Sequence, residues 1–324
     1  MTPIRSLLLL FICAGLWLGS QPPATATGEP VGQAAVGPPA MSVGQAAILG
    51  VVEGLTEYLP VSSTGHLLLA QRIMGIDGDS VGNGDQRSQD AVEAYTICIQ
   101  AGAIIAVLGL YFRRVRQIFS GLAGRDPVGL RLLVNIIVGF LPAAVIGLLF
   151  NGTIKTWLFG PWPVVTAWLT GGLAILAVHW HRQSQPQTAR NGVALDDLTW
   201  KMALVIGLAQ CIAMWPGVSR SLITIVGGVL VGMSLPAAVE YSFLLGVLTL
   251  GGATAYDAVK HGEEMLQIFD PLSLTVGLVF AFLSAVAAIK WMVSYLNRHG
   301  MAIFGYYRVC LGLAVAVLLA TGKI

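Results

Sequence analysis

Residues 50–66 read Gly50-Val-Val-Glu53-Gly-Leu-Thr-Glu57-Tyr-Leu-Pro60-Val-Ser62-Ser63-Thr64-Gly-His66, and this stretch decides the fold. It runs as an apolar helix, breaks at Pro60 and restarts at three consecutive hydroxyls. Two carboxylates and a histidine sit inside it, although the surrounding chain is mostly apolar. Polar groups in a lipid-bounded segment are costly unless they find partners or a task, so this break marks a functional site.

Working outward, apolar residues make up 56% of the chain and charged residues 10%, whereas water-soluble domains carry about 25% charged residues. Apolar segments lie near residues 42–59, 62–75, 92–112, 129–150, 161–180, 201–216, 219–234, 236–258, 271–296 and 302–321. Several reach the roughly 20 residues that a helix needs to cross a bilayer core. The class is therefore an all-α polytopic membrane protein, since a barrel would show short alternating segments instead. A net charge of +2 excludes a strongly basic nucleic-acid binder and a polybasic lipid anchor. Cys13, Cys98, Cys211 and Cys310 lie in apolar segments without paired spacing and read as small core residues.

Residues 1–40 differ from the rest. Arg5 precedes an apolar stretch from Leu7 to Leu18, then a Pro/Gly/Ala-rich segment. The expectation is a signal peptide with a linker, the alternative being an uncleaved anchor helix. Residues 41–324 then form a single membrane-embedded domain.

Four segments of that domain (42–59, 62–75, 201–216 and 219–234) are short and come in two pairs, broken at Pro60 and Pro216. Such interrupted pairs in two halves of a chain predict re-entrant, broken helices. A gapless shift of 157 residues places Gly50 on Gly207, Glu53 on Gln210, Tyr58 on Trp215 and Ser62 on Ser219. Val92-Glu93-Ala94-Tyr95 resembles Val239-Glu240-Tyr241 at a different shift. Two internal repeats, about 41–150 and 200–324, follow. Arg113, Arg114, Arg116, Arg125 and Arg131, then Arg182, Arg190 and Lys201, then Arg298 mark cytoplasmic loops. Threading the segments through that pattern brings one broken pair in from each side. The repeats are then inverted in topology, with the pairs meeting near the membrane midplane.

Glu53 and Glu57, spaced i,i+4, share one helical face, and hard oxygen ligands of this kind suit Mg²⁺ or Ca²⁺. Past Pro60 the helix restarts at Ser62, Ser63 and Thr64, where free N–H groups and hydroxyls make a phosphate cradle or an N-cap. His66, three residues beyond Ser63, suits a base, an acid or a nucleophile. At the second break, Arg220 lies between Ser219 and Ser221, a setting for bidentate capture of phosphate oxygens. Gln210 reads as a core hydrogen-bonding residue or a functional one, and Glu93 and Glu240 as structural. Lys290 and Arg308 are expected to snorkel toward the turn at Arg298. The set as a whole is equipment for phosphoryl transfer or phosphate binding at membrane depth.

The motifs from Glu53 to His66 and Pro216-Gly-Val-Ser-Arg-Ser221 resemble those of the bacterial undecaprenyl-diphosphate phosphatase family, also called the bacitracin-resistance type. Ile99 to Val107 and Arg298 to Arg308 support the resemblance, which runs from about Met41 to the C-terminus. It implies hydrolysis of the C55 isoprenyl diphosphate to its monophosphate and inorganic phosphate, recycling the carrier for cell-wall polymers. It further implies a divalent cation on Glu53 and Glu57, and Glu53, Glu57, Ser63, His66 and Arg220 as catalytic residues. Ser62, Thr64, Ser219 and Ser221 would bind the polyprenyl diphosphate. The site would face the extracytoplasmic side of the bacterial plasma membrane, in a protein that forms homodimers and has no nucleic-acid partner. The nucleophile stays open among Ser63, His66 and water. Leu222 stands where the family commonly has glycine. The competing reading is a transporter that flips the polyprenyl phosphate, because inverted repeats with broken helices are also a transporter pattern.

Overall fold

Ser42 opens the first helix through a reciprocal box. Its hydroxyl accepts from the Gln45 amide while the Gln45 side chain accepts from the Ser42 N–H, which stops the helix from extending backwards. The computed structural model describes residues 41–76, 86–158, 160–186 and 191–322. The expected leader of residues 1–40, together with Cys13 and Arg190, lies outside the described residues.

Helices α1 (Val43–Thr56) and α2 (Ser63–Met74) flank the first break. They are followed by α3 (Gln86–Leu110), α4 (Phe112–Leu122), α5 (Pro127–Leu158) and α6 (Pro161–Ser184). Helices α7 (Trp200–Gln210) and α8 (Arg220–Leu230) flank the second break, and α9 (Leu235–Ile268), α10 (Pro271–His299) and α11 (Ala302–Ala320) complete the order. Among the described residues, six helices (α3, α5, α6, α9, α10 and α11) are long and apolar enough to cross a membrane. Helices α2 and α8, with 12 and 11 residues, reach only about 16–18 Å along their axes, short of the roughly 30 Å hydrocarbon core.

The short helices pack through glycine against long helices of the opposite half. A Cβ at Gly50 in α1 would strike the carbonyl of Gly277 in α10, and one at Gly207 in α7 would strike the carbonyl of Gly139 in α5. The same two long-helix glycines face tyrosines. A Cβ at Gly277 would meet the Tyr95 hydroxyl, and one at Gly139 the Tyr241 hydroxyl, which donates to the Asn135 carbonyl at 2.8 Å. Residues that the sequence pairs, Gly50 with Gly207 and Tyr95 with Tyr241, therefore occupy corresponding contacts. Between these layers lies the main apolar cluster, where Tyr58, Val61, Leu222, Phe243 and Ile289 are buried around the two breaks.

The arginine-rich stretch after α3 is a helix rather than a loop. In α4, Phe112 and Phe119 point outward, whereas Arg114 turns inward to Glu240 at 2.8 Å and Asp196 at 2.7 Å. Those two ion pairs gather α4, the segment around Asp196 and the start of α9 at one end of the bundle. Cys98 and Cys211 are free and partly buried, but Cys310 is exposed on α11 and is not a core residue.

Because the glycine contacts are backbone to backbone, neither side can yield cheaply. Gly207→Val and Gly50→Val are each expected to destabilise the protein by about 1–3 kcal/mol through overpacking, read as a lower unfolding temperature in detergent. Gly109→Val, with no atom within 4 Å of its Cβ position, is the control that should leave that temperature in place.

Candidate active site

Both breaks end in the same backbone device. Ser62, just before α2, has φ 73°, and Ser219, just before α8, has φ 77°. Among the described residues these are the non-glycine positions with positive φ. Such a conformation costs on the order of 1–3 kcal/mol and persists only where the surroundings enforce it. The two helix starts differ in one respect. The Ser219 hydroxyl caps α8 by accepting from the Leu222 amide at 3.2 Å, whereas Ser62 makes no side-chain cap to α2. The first-turn amides of α2 are thus left for another acceptor, and the positive end of the helix dipole lies with them.

Glu57 stands at the centre of the contact between the breaks. Glu57 accepts from Arg220 Nη2 at 3.1 Å through Oε1 and from the Ser63 hydroxyl through Oε2. Both members of the ion pair are largely shielded, with side-chain exposures of 6% and 9%, so the pair is not the weak surface kind. Ser221 donates to the Leu59 carbonyl at 2.9 Å and pairs with Ser219 at 2.9 Å. Helix α9 steadies the arginine: Nη1 donates to the Ser242 carbonyl at 3.1 Å, and the guanidinium lies against Gly246. The Tyr58 ring faces the Arg220 Cζ at 5.4 Å.

Arg308 corrects the expectation that it snorkels. It is wholly buried and donates through Nη2 to the carbonyls of Ala167 at 2.7 Å and Gly217 at 2.8 Å, and through Nη1 to Pro60 at 3.4 Å. One guanidinium thereby ties both breaks to α6. A signal for this was present in the sequence. Gly305 and Gly312 lie three residues before and four after Arg308, marking its face as the closely packed one. Trp168 adds a second tie by donating to the Val61 carbonyl at 3.1 Å. Lys290, by contrast, is exposed as expected.

His66 does not face the Ser63 hydroxyl. Its Nδ1 lies 2.6 Å from the Ser62 carbonyl, which only accepts, so Nδ1 carries the proton and Nε2 accepts from the Tyr307 hydroxyl at 2.7 Å. Thr64 is exposed. Ser63, Glu57, Arg220, Ser219 and Ser221 are brought together, and Ser62 joins them through its backbone. Sequence reasoning missed Arg308, Tyr307, Ser242 and Gly246; the last three carry no local signal in their own segments.

Several buried polar atoms here have no partner among the described residues: both carboxylate oxygens of Glu53, Nε of Arg220, and both side-chain polar atoms of Gln210. Unpartnered buried groups are expensive, and an ion, a ligand or ordered water would relieve them. Glu53 lies in α1 one turn before Glu57, the residue that caps the end of that helix. Two free hard oxygens beside a second carboxylate have the donor chemistry that would hold Mg²⁺ or Ca²⁺. Among the described residues, no cluster of three or more His, Cys, Asp or Glu side chains could hold a metal ion.

The sequence model of the family described as bacitracin resistance protein BacA matches residues 46–314, a span that includes both breaks and Arg308. The chain belongs to this family. It is 44% identical over 271 residues to the undecaprenyl-diphosphatase of Sorangium cellulosum (strain So ce56), covering 83% of this chain and 84% of that one. It is 42% identical over 280 residues to undecaprenyl-diphosphatase 2 of Rhodospirillum rubrum, covering 86% and 96% of the two chains. The undecaprenyl-diphosphatase of Nitrosomonas europaea shows the same figures. Leu222 is accommodated without disturbing the α8 start. Its side chain is buried in the main cluster and its amide is the one that Ser219 caps.

Gly246 gives a test of whether the position of Arg220 matters. A methyl group there would collide with the guanidinium, which is flexible, rather than with backbone. Gly246→Ala is expected to keep its unfolding temperature within about 2 °C while lowering kcat/KM about 100-fold, the scale of a small misplacement of a charged group.

Proposed function

We propose that this chain hydrolyses undecaprenyl diphosphate to undecaprenyl phosphate and inorganic phosphate. The observation that carries the reading is the Ser63–Glu57–Arg220 arrangement at two converging helix starts. A hydroxyl already directs its proton at a carboxylate, and that carboxylate is held in place by a guanidinium whose Nε is still unpartnered. Relatives named undecaprenyl-diphosphatase, matched over most of their length, support the substrate class.

In this reading the diphosphate lies against the uncapped start of α2 and the Arg220 Nε. Fixed donors aimed at developing negative charge supply most of the acceleration in phosphoryl transfer. Ser63 Oγ attacks the terminal phosphorus as its proton passes to Glu57, and the bond to the bridging oxygen breaks to release undecaprenyl phosphate. Water then attacks the phosphoserine, its proton passing to His66 through the hydroxyl bonded at Nε2, and Glu57 returns a proton to Ser63 Oγ as phosphate departs. Mg²⁺ or Ca²⁺ held by Glu53, with Glu57 beside it, neutralises diphosphate charge when bound.

The expected cellular setting is the bacterial plasma membrane. Arg113 and Arg116 lie at the bundle end that the ion pairs of Arg114 gather, which supports a cytoplasmic assignment for that end. The corresponding contacts of Gly50 and Gly207, and the matched φ values of Ser62 and Ser219, support the inverted, re-entrant repeat. Threaded that way, the broken pairs meet at depth, the site opens to the extracytoplasmic side and the isoprenyl tail remains in lipid. A flippase would need phosphate ligands but no serine poised on a carboxylate, so the transporter is the less favoured reading.

The purified protein is expected to release phosphate from undecaprenyl diphosphate, and to stop when a chelator removes divalent cations. Ser63→Ala, Glu57→Ala and Arg220→Ala should each lower the rate by roughly 100-fold or more. Acid quench with terminally labelled substrate should trap label on Ser63. A folded wild type that binds the lipid, releases no phosphate and moves the lipid between leaflets would replace the phosphatase by the transporter.

A further inference from the structure

Helix α11 presents two neighbouring side chains to the site. Arg308 fixes the helix against both breaks, and Tyr307, the preceding residue, donates to His66 Nε2. The Tyr307 and His66 rings are nearly parallel, with centroids 5.7 Å apart and planes at 8°. Trp168 meets the imidazole from another direction, centroids 5.5 Å apart, at 63°. The imidazole is therefore pinned at both nitrogens and along its faces, and Tyr307 is the one holder that reaches the surface, being 44% exposed.

We propose that Tyr307 is a positioning residue for His66: it holds the imidazole in register with the Ser63 helix start while the histidine takes up and gives back a proton. The proposal rests on the phosphatase reading. A phenol is suited to this task because its hydroxyl both donates and accepts. With the neutral imidazole it donates to Nε2 across 2.7 Å. The proton that Nε2 gains is the hydroxyl's own, replaced on the phenol oxygen by the incoming one, so the hydroxyl now accepts from Nε2 and the pair stays joined in both states. The Ser62 carbonyl can hold only Nδ1, and the ring would pivot about that single bond without Tyr307. The anchoring of α11 by Arg308 makes the hold stiff, since Tyr307 cannot drift while its neighbour grips the carbonyls of Pro60, Ala167 and Gly217.

The test is a double-mutant cycle on phosphate release from undecaprenyl diphosphate by the full-length protein in detergent, using Tyr307→Phe, His66→Gln and the pair. Tyr307→Phe keeps the ring and removes only the hydroxyl. It should lower kcat roughly tenfold, leave KM within about twofold, and leave the unfolding temperature in place. On the His66→Gln background the same substitution should cost less than about twofold, because a residue acting through His66 has nothing left to position. A full tenfold loss on that background, or a wild-type kcat in Tyr307→Phe, would overturn the proposal. So would a wild-type kcat in His66→Gln, which removes the group being positioned. Each of those outcomes leaves the phosphatase reading standing, because that reading is judged by phosphate release from the wild type alone.

Discussion

The Arg308 guanidinium donates to the carbonyls of Pro60, Gly217 and Ala167 from a wholly buried position, and the rest of the centre depends on it. A helix that breaks inside an apolar bundle leaves carbonyls and amides without intrahelical partners. In water the solvent would take them up; in hydrocarbon nothing does, and broken helices survive only where protein or a water-filled cavity satisfies the freed groups. Arg308 meets that demand for both breaks with one planar group. The Trp168 bond to Val61 and the Ser221 bond to Leu59 complete it. Once these carbonyls are satisfied, the converging helix starts can be held with their amide ends toward the same place.

That arrangement has an electrostatic consequence. Two helix starts bring partial positive charge together, Arg220 adds a full one, and Glu57 offsets it through a shielded ion pair. The balance is incomplete at the level of hydrogen bonds, because Glu53, the Arg220 Nε and Gln210 remain without partners. A diphosphate together with a divalent cation would answer two of these needs at once, giving acceptor oxygens to the guanidinium and a positive charge to the free carboxylate. The backbone strain at Ser62 and Ser219 fits the same picture. A residue in the left-handed region lets the chain turn sharply from one helix axis to the next, so the Ser63 hydroxyl and the Arg220 guanidinium converge on Glu57.

Much of this is legible in the sequence alone. The hydroxyl run after Pro60 and the Ser-Arg-Ser after Gly217 announced helix restarts, and α2 and α8 begin at Ser63 and Arg220. The 157-residue shift linked Gly50 with Gly207 and Ser62 with Ser219, pairs that share contacts and backbone conformation. What stayed hidden was long-range. Arg308 lies 248 residues from its Pro60 partner and Tyr307 lies 241 from His66, and local pattern carries no information at that separation. Arg308 also stood near enough to a charged turn for snorkelling to explain it, although its flanking glycines pointed inward. The arginines after α3 read as a loop because positive charge dominates composition there. The two-faced pattern that places Phe112 and Phe119 outward and Arg114 inward is helical.

The most direct test of the central claim is an experimental structure of the protein with Mn²⁺ and a non-hydrolysable methylene diphosphonate bearing an isoprenyl tail. Anomalous scattering would mark the metal. The account predicts manganese on Glu53, phosphonate oxygens within hydrogen-bond distance of Arg220 and of the first amides of α2, and the Ser63 hydroxyl facing the terminal phosphorus. A diphosphonate bound away from both breaks, or manganese held without Glu53, would contradict it.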